Sequence, residues 1–200
     1  MSTSNVDVSG LPTTTFSHRS LAWWGTLGFM AIEGTTLFIG VVAYFYLSRN
    51  FQTWPPEHTL RPSVFWPTVQ VMLLLASLIP TVLADRAAYR IDLPKLRQWF
   101  IVMLIFEVIA VFVRWQEFLS LNVRWDSNAY GSAAWTLVGL HTTLLVADLF
   151  ETAILTAILF SNRLVDRHFS DATDVTFYWY FLLAAWIPIY VIVYFSPLLM

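Results

Sequence analysis

Residues 98–120 read QWFIVMLIFEVIAVFVRWQEFLS, a run whose only charges between Ile101 and Val113 reduce to Glu107. Its length matches the ~20 residues an α-helix needs to cross ~30 Å of hydrocarbon. Apolar residues follow one another without the period-two alternation of a barrel strand. Lipid offers no hydrogen-bond partners, so such a run crosses a bilayer only as a helix with its backbone bonds closed internally. Four further runs share this character, and together they place apolar spans at about 21–47, 63–84, 98–120, 131–160 and 174–195. The expected fold is all-α, an integral membrane bundle of five transmembrane helices.

Composition agrees. The chain has 200 residues, 58% hydrophobic and 12% charged, with a mean hydropathy of +0.63. A soluble domain carries roughly 25% charged residues, and a chain this apolar uses lipid as its solvent. There is no cysteine, which removes disulfides, thiolate metal sites and redox thiols. Residues 1–20 are polar and rich in Ser and Thr, without the order of a secretory signal, and read as a flexible tail before a single domain over 21–200. Trp23, Trp24, Trp54, Trp66, Trp99, Trp115, Trp125, Trp179 and Trp186 fall mostly towards span ends, as an interfacial aromatic belt would. The fourth run is long enough to tilt or protrude. Small residues at Gly25 and Gly28, Gly34 and Gly40, Ala84 and Ala88, and Ser132, Gly139 and Thr143 mark expected close helix contacts.

Cationic residues set the expected orientation. Arg19, Arg86, Arg90, Lys95, Arg97, Arg163 and Arg167 fall on one side, while Arg49, Arg61 and Arg124 fall on the other. The richer side is expected to face the cytoplasm, with the N-terminus inside and the C-terminus outside, in a bacterial inner membrane. Arg86, Arg90, Lys95 and Arg97 read as one basic loop, either a contact for anionic lipid headgroups or a topology signal alone.

Four acids fall inside spans: Glu33, Glu107, Asp148 and, one turn on, Glu151. A charge at the bilayer centre costs at least ~2.5 kcal/mol, so such residues face a bundle interior, a cavity or a partner. Two readings are open for them, proton exchange or contact with lipid or subunit, and a hydrogen bond that merely holds helices together. Arg114 shares a helix face with Glu107 and reads as part of an ion network. His141, the only histidine inside a span, reads as a hydrogen-bonded packing residue and shares a polar stripe with Asp148.

One membrane histidine and no cysteine cannot ligate haem or a copper centre. There is no phosphate-cradling Gly loop, paired-His zinc motif or nucleophile elbow either. The residues therefore support an accessory or transport subunit with buried acids and no catalysis of its own. A small transporter stays open, although the chain shows no internal repeat.

A series of motifs adds to this reading: Trp24-Gly25 through Phe29, Glu33, Phe38 and Ala43-Tyr44; Trp54-Pro55-Pro56; Gln116-Glu117-Phe118; Asn128-Ala129-Tyr130-Gly131-Ser132; Gly139-Leu140-His141; His168-Phe169; and Phe177-Tyr178-Trp179-Tyr180-Phe181 with Trp186. Their order and spacing resemble subunit III of the haem-copper terminal oxidases, in a five-helix form lacking that family's first two helices. Leu144 and Tyr180 stand where the family has His, Asp148 where it has Gly, and Leu183 where it has Asp, so the member is divergent. The resemblance implies a respiratory accessory subunit that binds no redox cofactor directly, packs on subunit I and beside subunit II, holds phospholipid, and sustains proton uptake. Haem and copper would sit in those partners. It carries Glu33 over as the family's buried carboxylate, with Glu117, Tyr130, Gly131, His141, Tyr178 and Trp179 as motif residues. The accessory subunit of a nitric oxide reductase is the alternative.

Overall fold

The computed structural model describes residues 21–161 and 167–199. The tail over 1–20, with Arg19, and Arg163 in the fourth connection lie outside the described residues. Five helices follow in order: α1 (Leu21–Ser48), α2 (Phe65–Tyr89), α3 (Leu93–Ser120), α4 (Ala129–Leu159) and α5 (Arg167–Leu199). All five are long and apolar enough to cross a membrane. The protein is a multi-pass, all-α membrane bundle.

The helices outrun the apolar spans. α2 continues to Tyr89 and α3 begins at Leu93, so the expected basic loop shrinks to a turn that holds only Arg90, with Arg86, Lys95 and Arg97 inside helices. α5 likewise starts at Arg167 rather than 174. Hydropathy marks where lipid ends, whereas backbone hydrogen bonding continues through charged residues until a capping signal stops it. Those signals are clear at the α2–α3 turn. The Asp92 amide donates to the Ala87 carbonyl and the Ile91 amide to Ala88, both 3.0 Å, with Ile91 left-handed at φ 54°. This is the Schellman closure, with isoleucine where glycine is the usual occupant. Asp92 then caps α3 by accepting from the Lys95 amide, and Pro94 follows in the first turn. The same lysine, 2.8 Å from Asp92, holds that exposed carboxyl below its ordinary range.

α2, α3, α4 and α5 form a closed ring of neighbours, and α1 packs outside it against α4 and α5 alone. Two apolar clusters fill the ring. One, around Leu96, Phe100, Met103 and Leu159, lies towards the α2–α3 turn; the other, around Tyr44, Trp54, Tyr130 and Val193, lies at the opposite end. Connections alternate between the ends. Ser63 donates its amide to the Ser120 carbonyl (3.0 Å), and Asn128 reaches Thr59 (2.9 Å), so the first and third connections share one end.

The tryptophans correct the aromatic-belt expectation in part. Trp54, Trp179 and Trp186 are core residues, 3% exposed or less. Trp54 meets the Tyr44 and Tyr130 rings edge-on, each at 5.4 Å, and the Trp179 indole donates to Ser77 (2.8 Å). The close-contact expectation also divides. Ala84 and Ala88 are buried, and a Cβ on Gly40 would stand 2.9 Å from Leu137 of α4, whereas Gly25, Gly28 and Gly139 have nothing within 4 Å.

Gly131 is the most constrained glycine. Asn128 caps α4 by accepting from its amide at 2.8 Å, and the preceding loop lies so close that a Cβ would collide with the Arg124 carbonyl oxygen. Gly131→Ala is expected to cost about 1–3 kcal/mol by overpacking against backbone, while Gly139→Ala is near neutral; thermal unfolding of the two variants in detergent compares them. Ile91→Gly removes a β-branched residue from the left-handed region and is expected to raise stability by about 1 kcal/mol, read in the same assay.

Candidate functional site

The polar interior divides into a closed network and an open one. The closed network centres on Arg114 of α3, 1% exposed. Its guanidinium donates to Glu117 one turn on (2.7 Å) and contacts the His141 Nδ1 of α4 (3.2 Å). Its face lies 3.6 Å from the centroid of the Trp186 ring of α5. His141 Nε2 is 2.9 Å from the Leu182 carbonyl. Arginine can only donate and a carbonyl only accept, so these contacts assign the imidazole proton to Nε2. The Tyr194 hydroxyl of α5 donates to the second Glu117 oxygen. His141 is thus the hydrogen-bonded packing residue expected of it. Arg114 does not pair with Glu107 as the shared face suggested; Glu117, at i+3, holds it.

The open network lies nearer the α2–α3 turn. Glu33, on α1, accepts a 2.6 Å hydrogen bond from the Tyr178 phenol of α5. Asp148 lies within electrostatic range of Glu33 and Glu151, and Glu107 within range of Asp148 and Glu151, so the four sequence-picked acids converge. Neither oxygen of Glu107 or of Asp148 has a hydrogen-bond partner; the Thr152 hydroxyl sits beside Glu107 without bonding geometry. A cavity of about 360 Å³ opens between α1, α4 and α5, lined by Gly25, Phe29, Asp148, Glu151, Asp174 and Tyr178 among others. Asp174 was not among the acids picked from sequence, because it stood at the boundary of the expected fifth span. Its spacing of four from Tyr178 was the available signal, since i and i+4 share a helix face.

The remaining motif residues are structural in their contacts. Tyr130 and Trp179 are buried. Lys95 and Arg97 are engaged within the chain: Lys95 with Asp92, and Arg97 with the Leu159 carbonyl (2.7 Å) and the face of Phe160.

A buried ion pair is costly to break from one side because the surviving charge is stranded. Glu117→Leu is therefore expected to cost about 3–5 kcal/mol, and the double variant Arg114→Leu with Glu117→Leu to recover much of that loss. Thermal unfolding of Arg114→Leu, Glu117→Leu and the double variant closes the cycle; a double-variant loss equal to the sum of the two single losses would mean that the pair contributes no coupling.

No protein-family model matches the chain. Full-length relatives do. The chain is 24% identical over 202 residues to the probable cytochrome c oxidase subunit 3 of Mycobacterium tuberculosis, covering 96% of this chain and 98% of that protein. It is 26% identical to the probable cytochrome c oxidase subunit 3 of Nocardia farcinica, over 86% of each chain. It is 23% identical to cytochrome c oxidase subunit 3 of Synechocystis, over 88% of this chain and 76% of that one. Five apolar helices, the ordered series of motifs and near end-to-end similarity to several such subunits agree, and together they support the subunit III family of the haem-copper oxidases as the one this chain resembles.

Proposed function

We propose that the chain is the non-catalytic subunit III of a proton-translocating respiratory oxidase, that it packs on subunits I and II, and that it sustains proton uptake by subunit I while holding phospholipid. The observation that carries this reading is the Glu33–Tyr178 bond. Glu33 is a central carboxylate on the least buried of the five helices, and it is held at 2.6 Å by a phenol on α5. An acid fixed at a lipid-facing seam keeps one orientation through turnover, and it stands beside an acid-lined cavity. Haem and copper belong to the partner subunits in this reading, and the electron donor is cytochrome c or a quinol. The end that carries the α2–α3 turn faces the cytoplasm, because Arg86, Arg90, Lys95, Arg97 and Arg167 gather there against Arg49, Arg61 and Arg124 at the other.

Identity of the complex is tested first. The tagged chain is purified from its native membranes, and a dithionite-reduced minus oxidised spectrum is recorded on what copurifies. Haem bands with oxygen consumption are expected; haem with nitric oxide reduction, or a colourless protein alone, would overturn the assignment. Within the complex, Glu33→Gln keeps shape and removes the carboxylate, and it is expected to lower the protons pumped per electron and to speed turnover-dependent inactivation severalfold. Tyr178→Phe removes one hydrogen bond, worth about 1 kcal/mol, and is expected to produce the same change more weakly. Unaltered pumping and inactivation in Glu33→Gln would remove Glu33 from the proposal.

A further inference from the structure

We propose that the cavity between α1, α4 and α5 is a binding site for an organic ammonium group. The proposal rests on the geometry of this chain and not on which partners surround it. Asp148 is its anchor: the residue is 1% exposed, lines the cavity, and has no hydrogen-bond partner at either oxygen. A buried carboxylate in that state invites a donor. Glu151 and Asp174 line the same space, and no Lys, Arg or His does so. Arg167 and His168 line the neighbouring cavity, which shares Glu151.

The kind of cation follows from how the acids are spread. Among the described residues no group of three His, Asp or Glu side chains is close enough to hold a metal ion. A bare ion needs several oxygens converging on one point. An ammonium with several N–H donors instead reaches separate carboxylates, and its alkyl part can lie against aromatic faces. Phe29 and Tyr178 supply them, with ring centroids 6.3 Å apart and planes inclined by 32°. The volume of about 360 Å³ falls in the range of small-molecule sites. Gly25, with open space where a Cβ would stand, lies one turn into α1. The mouth is therefore near a membrane interface and Asp148 lies at the deep end, an arrangement suited to a ligand with a charged head and an apolar tail. The amine headgroup of a phospholipid and a free alkylammonium share this chemistry.

The tagged chain, with whatever subunits copurify, is titrated with octylammonium chloride in a maltoside detergent while its thermal unfolding is followed. Octanol and sodium chloride are the matched controls. A saturable rise in the apparent melting temperature is expected with octylammonium alone, with its affinity lowered roughly tenfold in Asp148→Asn. Glu151→Gln, at the exposed rim, should weaken binding by a smaller factor, and it carries the test if Asp148→Asn fails to fold. Native mass spectrometry then separates the sources. Phosphatidylethanolamine retained by the wild type and lost from the variant makes the lipid amine the occupant, while saturation without a retained amine lipid makes it a free amine. Octylammonium acting no better than octanol or sodium chloride, or unchanged affinity in the folded variants, would overturn the proposal.

Discussion

The Arg114–Glu117 pair is the constraint around which the bundle is organised. Both residues lie on α3, so the pair alone ties nothing together; its outward contacts do. His141 brings α4 to the guanidinium, Trp186 brings α5 over its face, and Tyr194 brings the far end of α5 to the carboxylate. An arginine in lipid has few acceptable environments. Each of the three helices therefore has its rotation set by the requirement to present one side chain to the same point. His141 extends the constraint to the backbone of α5 through the Leu182 carbonyl.

The acids nearer the α2–α3 turn have no such closure. Glu107 and Asp148 lie within electrostatic range of each other without hydrogen-bond partners, and Glu33 is tied to α5 by one phenol. The difference lies in the supply of donors. Around Arg114 the helices provide a guanidinium and a phenol for one carboxylate, and the His141 imidazole accepts from the same guanidinium. Around Asp148 they provide mainly acids; the phenol is committed to Glu33, and the Thr26 hydroxyl lines the cavity without bonding to Asp148. The same side of the bundle carries α1, which touches only α4 and α5. Packing is thus thinnest where the polar interior is least satisfied.

Much of the fold was legible because the bilayer reduces folding to a question of length and hydropathy. Five spans, their order and their alternation between two ends followed from that alone. Helix ends did not, because caps such as Asp92 and Asn128 act through local hydrogen bonds that hydropathy ignores. The positions of tryptophans were misread in the core for a related reason. An indole suits an interface and a buried donor site equally well, and only the presence of Ser77 beside Trp179, or Arg114 beneath Trp186, distinguishes them. The acids were legible individually, since a carboxylate in an apolar run stands out. Their partners were not, because Glu33 and Tyr178 are separated by 145 residues and no local pattern links them.

The divergent positions point the same way. Asp148 stands where the family resemblance expects glycine, so by that comparison this chain carries an extra carboxylate at the deep end of the cavity. Such an addition costs stability unless something meets the charge. The neighbouring side chains do not, since Glu151 and Asp174 carry the same sign and Tyr178 donates elsewhere. The aromatic rings of Phe29 and Tyr178 are already placed for a cation's apolar portion. Retaining an acid at this position is therefore consistent with a counter-charge that enters from outside the chain, and the asymmetry between the closed and the open network becomes a division between what fixes the bundle and what the bundle holds.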